Sequence, residues 1–298
     1  MFPLERTYRV KTIEPAAYGR IAGMAALVLG GGGVTGVAWE IGMVHGLAEH
    51  GLDLTGAGLF VGTSAGSVVA AQITGGTPLA ELYAAELTDT TGDRNAALGA
   101  GVLLRIGLSA LIPGDRRRGR AWLGRAALRA RTVPESARRN AIMARVPGDA
   151  WPEVPLRIPA IAARTGEVVV FDRASGVPLI DAVAASCAVP LVWPPMTVAG
   201  VRYYDGGMRS MANVDLAAGH DRVVVIAPST VSLRRADKPQ AQAAALGPGV
   251  RTTVVAPSAA ALTAIGRNPL SPDRRAQAAE AGRAQAAEVA ERVATVWT

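Results

Sequence analysis

Twice near its start the chain runs from a short apolar strand through a glycine turn directly into a helical segment. This pattern restricts the fold more than any other feature. Residues 25–29, Ala-Ala-Leu-Val-Leu, lead into four consecutive glycines and then into residues 35–49, where Val37, Ile41, Val44 and Leu47 recur at helical spacing. Residues 59–61, Leu-Phe-Val, lead into Gly62-Thr-Ser-Ala-Gly66 and a second helix starting over residues 67–73. Strand, turn, helix repeated in this way is the signature of an α/β fold with a parallel sheet.

Later segments extend it. Strands are expected at 156–162 and 167–171, separated by a turn at Thr165-Gly166, and at 201–204, 222–227 and 252–256. Helices are expected at 79–88, 179–188 and 271–296. Residues 93–150 differ in composition, with Arg116, Arg117, Arg118, Arg120, Arg125, Arg129 and Arg131 among Ala, Leu and Trp122. They read as irregular helices forming an insertion or cap over the core. Residues 1–23 read as an N-terminal extension, and residues 24–298 as one domain.

Composition excludes several classes. One cysteine rules out a disulfide framework and a cysteine-based zinc site, and three histidines leave little for a His-rich metal centre. No metal and no cofactor is expected. The net charge is +7, and of 31 basic residues only Lys11 and Lys238 are lysines. This is either an arginine-biased composition or attraction to an anionic partner. Aromatic residues make up only 4% of the chain, which argues against nucleic-acid binding by base stacking. The charged first residues lack the apolar core of a secretory signal. The uncharged stretches 21–39 and 54–80 are too rich in Gly, Ser and Thr for a membrane span. The expectation is a cytoplasmic protein without a transmembrane segment, able to sit peripherally on the inner membrane face.

Three motifs carry chemistry. Gly62-Thr63-Ser64-Ala65-Gly66 is a G-x-S-x-G pentapeptide with the strand–turn–helix flanks of a nucleophile elbow. The small residues permit the tight turn and expose the Ser64 hydroxyl. Gly30 to Gly36 forms a loop whose backbone N–H groups suit an anion. Gly31-Gly32-Gly33-Val34-Thr35-Gly36 also satisfies the G-x-G-x-x-G spacing of a dinucleotide binder, with Asp53 as its acidic residue. The loop is therefore either a phosphate cradle or an oxyanion hole. Asp205-Gly206-Gly207 ends a short strand, and Asp205 is a candidate base for the serine. Ser64, Asp205 and His220 also follow the chain order of a Ser–Asp–His triad, while His45 and His50 read as helix-face residues.

Together these blocks resemble the patatin-like phospholipase family of bacterial type. Gly31-Gly32-Gly33, Gly36 and Gly42 resemble its oxyanion block, and Gly62-Thr-Ser-Ala-Gly66 its nucleophile block. Ala185-Ser-Cys-Ala-Val-Pro190 with Pro194-Pro195 resembles its third block, and Asp205-Gly206-Gly207 its aspartate block. The resemblance implies a three-layer α/β/α fold with a mostly parallel sheet. It implies a serine lipid acyl hydrolase with Ser64 as nucleophile and Asp205 as general base, without a catalytic histidine. Gly31, Gly32 and Gly33 would supply the oxyanion hole, supported by Gly36, Gly62, Gly66, Gly206 and Gly207. The substrate would be a lipid or small ester. Many relatives carry Arg or Lys where this chain has Thr35. The competing readings are a non-enzymatic phosphate or nucleotide binder, an acyltransferase, and a Ser–His–Asp esterase. The Arg-rich residues 116–145, with Trp122 and Leu123, are either a solvated helical face or a footprint on anionic lipid head groups.

Overall fold

A computed structural model of the chain describes residues 11–12, 21–88, 96–232 and 234–298. Among these residues nine strands form one sheet: β1 (Lys11–Thr12), β2 (Ile21–Leu29), β3 (Leu59–Gly62), β4 (Leu156–Ala162), β5 (Val168–Phe171), β6 (Met196–Val198), β7 (Val201–Asp205), β8 (His220–Ile226) and β9 (Arg251–Val255). The helices are α1 (Gly33–Glu49), α2 (Ala65–Thr74), α3 (Leu79–Thr88), α4 (Ala100–Leu111), α5 (Arg116–Ala127), α6 (Glu135–Met143), α7 (Leu179–Ser186), α8 (Pro239–Ala244), α9 (Ala259–Ile265) and α10 (Arg275–Trp297). The extension expected over residues 1–23 falls largely outside the described residues. Lys11–Thr12 pairs with β5, and β2 already begins at Ile21.

The central strands β4, β3, β2, β8 and β9 are mutually parallel, and every antiparallel pair includes β5 or β7, two of them with β4. Successive side chains of a strand point to opposite faces, and this divides the core. Leu27, Leu29, Phe60, Val224 and Ile226 face the helices α1, α2, α7 and α10. Ala26, Val28, Leu59, Val61, Val223 and Val225 face a thinner layer built from residues 212–217 and α8. The architecture is a three-layer α/β/α sandwich with one heavy and one light helical layer.

The heavy layer has a backbone-to-backbone seam. A Cβ on Gly42 of α1 would lie 2.0 Å from the Ala279 carbonyl oxygen of α10, and one on Gly282 would lie 2.3 Å from that of Trp39. Only glycine permits this approach, and Gly42, grouped with the oxyanion block by resemblance, serves packing.

The strand order positions the site. β3 and β7 share one edge of β4: β3 pairs with Leu156 and Arg157 in parallel, while β7 pairs with 160–162 in the opposite direction. The C-terminal ends of β3 and β7 therefore meet head-on, bringing the turn after Gly62 against Asp205. Residues 96–150 supply α4, α5 and α6, and residues 93–95 lie outside the described residues. Among the described residues, no helix is long and apolar enough to cross a membrane.

Candidate active site

Ser64 sits between β3 and α2 with φ 51 and ψ −117. An L residue rarely holds this conformation, which costs on the order of 1–3 kcal/mol. The surroundings enforce it. The Ser64 N–H donates to Ser186 Oγ at 3.0 Å, and Ser186 Oγ donates to the Pro159 carbonyl at 2.8 Å. The Ser64 carbonyl accepts from Ser67 Oγ at 2.6 Å and from Cys187 Sγ at 3.1 Å. Gly66 lets α2 start close to β2, because a Cβ there would lie 2.1 Å from the Leu29 carbonyl oxygen.

The strained turn aims the side chain at Asp205. Ser64 Oγ donates to Asp205 Oδ2 at 2.7 Å, and the Gly207 N–H donates to Oδ1 at 2.7 Å. Asp205 is 2% exposed. Burial pushes its carboxyl up to about 6, although the bonds from Ser64 and Gly207 act in the opposite direction. Asn213, fully buried, braces the two turns: its Nδ2 donates to Thr63 Oγ1 at 3.1 Å and to the Gly206 carbonyl at 3.4 Å.

The glycine loop lies beside the serine. The Gly31 N–H is already used, donating to the Met211 carbonyl at 2.7 Å. Gly32 caps α1, and the Gly32 and Gly33 N–H groups have no backbone partner among the described residues. Two free donors remain at a helix N-terminus, where the helix field favours negative charge. Gly36 packs against Pro228. The Thr35 N–H and Oγ1 both donate to the Pro269 carbonyl, at 3.1 and 3.3 Å. Thr35 thus ties the loop to the C-terminal segment.

These groups open on a cavity of about 700 Å3 lined by Gly32, Gly33, Ser64 and Asp205. Leu103, Ile106, Leu123, Ile265 and Leu270 give it an apolar wall, and Arg116, Arg120 and Arg209 a basic one. Arg116 pairs with Asp237 and Arg209 with Asp215.

The other expected residues lie apart. His220 begins β8, whose far end at Ile226 is level with Gly62 through β2. That separates His220 from the serine by about 20 Å of strand. Burial holds its imidazole below the usual range. His45 stacks on Tyr83, and His50 caps the end of α1. Asp53 caps a short 3₁₀ turn before β3, accepting from the Thr55 N–H at 2.9 Å. This is the end of the sheet opposite the glycine loop. Leu123 is buried and lines the cavity, which overturns its expected place at a lipid surface. Several arginines of 116–145 bind the protein itself: Arg117 pairs with Glu167, Arg139 with Asp181, and Arg125 donates to the Arg164 carbonyl. Cys187 is buried, and burial pushes its thiol up to about 11, so it is a neutral hydrogen-bonding group. Ser186 and Asn213 carry no motif of their own in the sequence, although Ser186 lies within the third block.

A family model described as patatin-like phospholipase matches residues 27–218. Among solved structures, VipD from Legionella pneumophila is similar at 14% identity and TM-score 0.46, covering 98% of this chain and 72% of that one. The type III effector protein ExoU is similar at 17% identity and TM-score 0.39, covering 91% of this chain and 53% of that one. No curated protein matches.

Proposed function

The chain belongs to the patatin-like phospholipase family, whose members are broadly lipid acyl hydrolases, and on that premise we propose that it cleaves acyl esters through a Ser64–Asp205 dyad and an acyl-enzyme. The observation that carries this reading is the 2.7 Å bond from Ser64 Oγ to Asp205 Oδ2 at the floor of the cavity.

Ser64 Oγ attacks the ester carbonyl carbon while its proton passes to Asp205 Oδ2. A carboxylate near its ordinary value is a weak base, and elevation to about 6 brings Asp205 close to neutral pH, where proton transfer is efficient. The carbonyl oxygen becomes an oxyanion, held by the Gly32 and Gly33 N–H groups. One such donor is typically worth about 10²–10³ in rate. The tetrahedral intermediate collapses, the alkoxide leaves, and Asp205 returns the proton to it. A water then attacks the acyl-enzyme, gives its proton to Asp205, and the fatty acid leaves as Ser64 Oγ recovers that proton. The position of His220 at the other end of the sheet supports a dyad over a triad. The carbonyl bound to Gly31 and the cap role of Asp53 weigh against a dinucleotide cradle.

Fluorophosphonate labelling and release of fatty acid from a lipid panel, followed by mass spectrometry, test the reading. Wild type and His220→Ala should label and hydrolyse alike, whereas Ser64→Ala should do neither. Equal labelling of Ser64→Ala and wild type would overturn it.

A further inference from the structure

Helix α4 is apolar on two sides. Leu103, Ile106, Gly107 and Ala110 recur at helical spacing and line the cavity above Ser64. The opposite side carries Leu104, Leu108 and Leu111, which are 62%, 44% and 75% exposed. No residue of α4 is buried, and Arg105 is its one charged side chain. A helix that carries apolar side chains on its exposed side as well as its packed side ordinarily has that side covered by a core or a membrane. The patch continues around the cavity entrance through Val231 and Leu262, both exposed and both lining the cavity. Exposed arginines flank it: Arg105 on α4 itself and Arg234, which donates to the Ala110 carbonyl at the end of α4.

We propose that this face, with Leu104, Leu108 and Leu111 inserted, docks on an anionic lipid bilayer and opens the cavity directly into it. The inference rests on the lipid acyl hydrolase reading and names where the substrate comes from. A lipid must withdraw an acyl chain from the bilayer to reach Ser64. With the leucines below the head groups, the chain passes from hydrocarbon to the apolar cavity wall without crossing water. The arginine rim then meets the negative leaflet, which attracts basic side chains near its surface. A protein seated on the same patch would instead cover the entrance and shut the cavity. The footprint is thus α4 and its rim, in place of the buried Leu123.

Co-sedimentation with phosphatidylcholine vesicles, with and without phosphatidylserine, tests this on the Ser64→Ala protein, where no hydrolysis alters the vesicles. Ser64→Ala should bind the anionic vesicles, and binding should weaken as salt is raised. Adding Leu104→Ser, Leu108→Ser and Leu111→Ser should weaken it by at least about tenfold, since each leucine loses buried apolar area. Arg105→Glu, a single surface change, should weaken binding to anionic vesicles by roughly fivefold or more. In the background with Ser64 intact, both sets should hydrolyse a soluble p-nitrophenyl ester within about twofold of wild type, which excludes misfolding. Unchanged vesicle binding by the triple variant, or no binding by Ser64→Ala, overturns the proposal. Hydrolysis of soluble esters without vesicle binding sinks the docking face alone. Vesicle binding without any ester hydrolysis supports the docking face and sinks the hydrolase reading.

Discussion

Asp205 divides its carboxylate between two donors, Ser64 Oγ on Oδ2 and the Gly207 N–H on Oδ1, each at 2.7 Å. The second bond fixes the plane of the carboxylate, so the oxygen facing Ser64 is held in place before a substrate arrives. Both bonds favour the ionised form, yet burial outweighs them and leaves the group at about 6.

The pH–rate profile should show this. Asp205 must be ionised to accept the serine proton, so kcat/KM should rise through about pH 6 and reach a plateau above it. A rising limb centred near the ordinary aspartate value would contradict burial as the dominant influence.

The same elevation has a stability cost. A carboxyl raised from 3.8 in the unfolded chain to about 6 in the fold contributes stability fully below 3.8 and loses it as pH rises through 6. At pH 8 the ionised group costs on the order of 3 kcal/mol. Asp205→Asn should therefore abolish hydrolysis and raise Tm by several degrees at pH 8, with the gain shrinking toward pH 4. Calorimetry at the two pH values checks it, and an unchanged or lower Tm at pH 8 would count against the argument.

Ser186→Ala should lower kcat by about tenfold or more while KM stays near wild type, because the Ser64 N–H loses its acceptor and the elbow relaxes. Cys187→Ala should be milder. A thiol is a weak donor, and Ser67 Oγ still serves the Ser64 carbonyl at 2.6 Å. Steady-state kinetics on both variants decide the order; a more damaging Cys187→Ala would reverse the assignment of the two supports.

Glu40 lies fully buried on α1, and burial holds its carboxyl well above the usual range against the opposing influence of the Gly30 N–H. Its contribution to stability is present at low pH and is lost as pH rises toward that elevated value. Glu40→Gln has the same shape and cannot ionise. It should match wild type in Tm near pH 4 and exceed it increasingly toward pH 9. A difference that does not grow with pH would show that Glu40 ionises without cost.

Gly42→Ala should lower Tm by several degrees, because its Cβ would meet the Ala279 carbonyl oxygen at 2.0 Å and overpacking typically costs about 1–3 kcal/mol. Below its transition the variant should keep near-wild-type kcat, since α1 meets α10 there at a distance from Ser64. Loss of kcat with an unchanged Tm would return Gly42 to the site.

What the sequence made legible was local. Strand, glycine turn and helix are contiguous units, so the elbow around Ser64 and the loop around Gly32 could be read directly, and a polar residue after a strand marked Asp205. The expectations that needed revision depended on distant partners. Nothing near Gly31 announces that the Met211 carbonyl takes its N–H, and nothing near Gly42 announces the backbone of α10. Ser186 and Asn213 act through bonds to residues far away in the chain, to Ser64 and Thr63. Similarly, Leu123 follows Trp122 in an arginine-rich helix that looked solvated, and only the packing of α5 against β4 shows it is interior.

The bond from Thr35 to the Pro269 carbonyl joins residues 234 positions apart. During synthesis the elbow, the aspartate turn and nearly the whole sheet leave the ribosome before Pro269 does. The glycine loop stays untethered at Thr35 until the segment around Pro269 is made and folds back. A nascent chain can thus hold Ser64 and Asp205 together while the proposed oxyanion donors, Gly32 and Gly33, are still loose. On the proposed mechanism, competence then waits for the segment around Pro269 rather than for the Ser64–Asp205 pair.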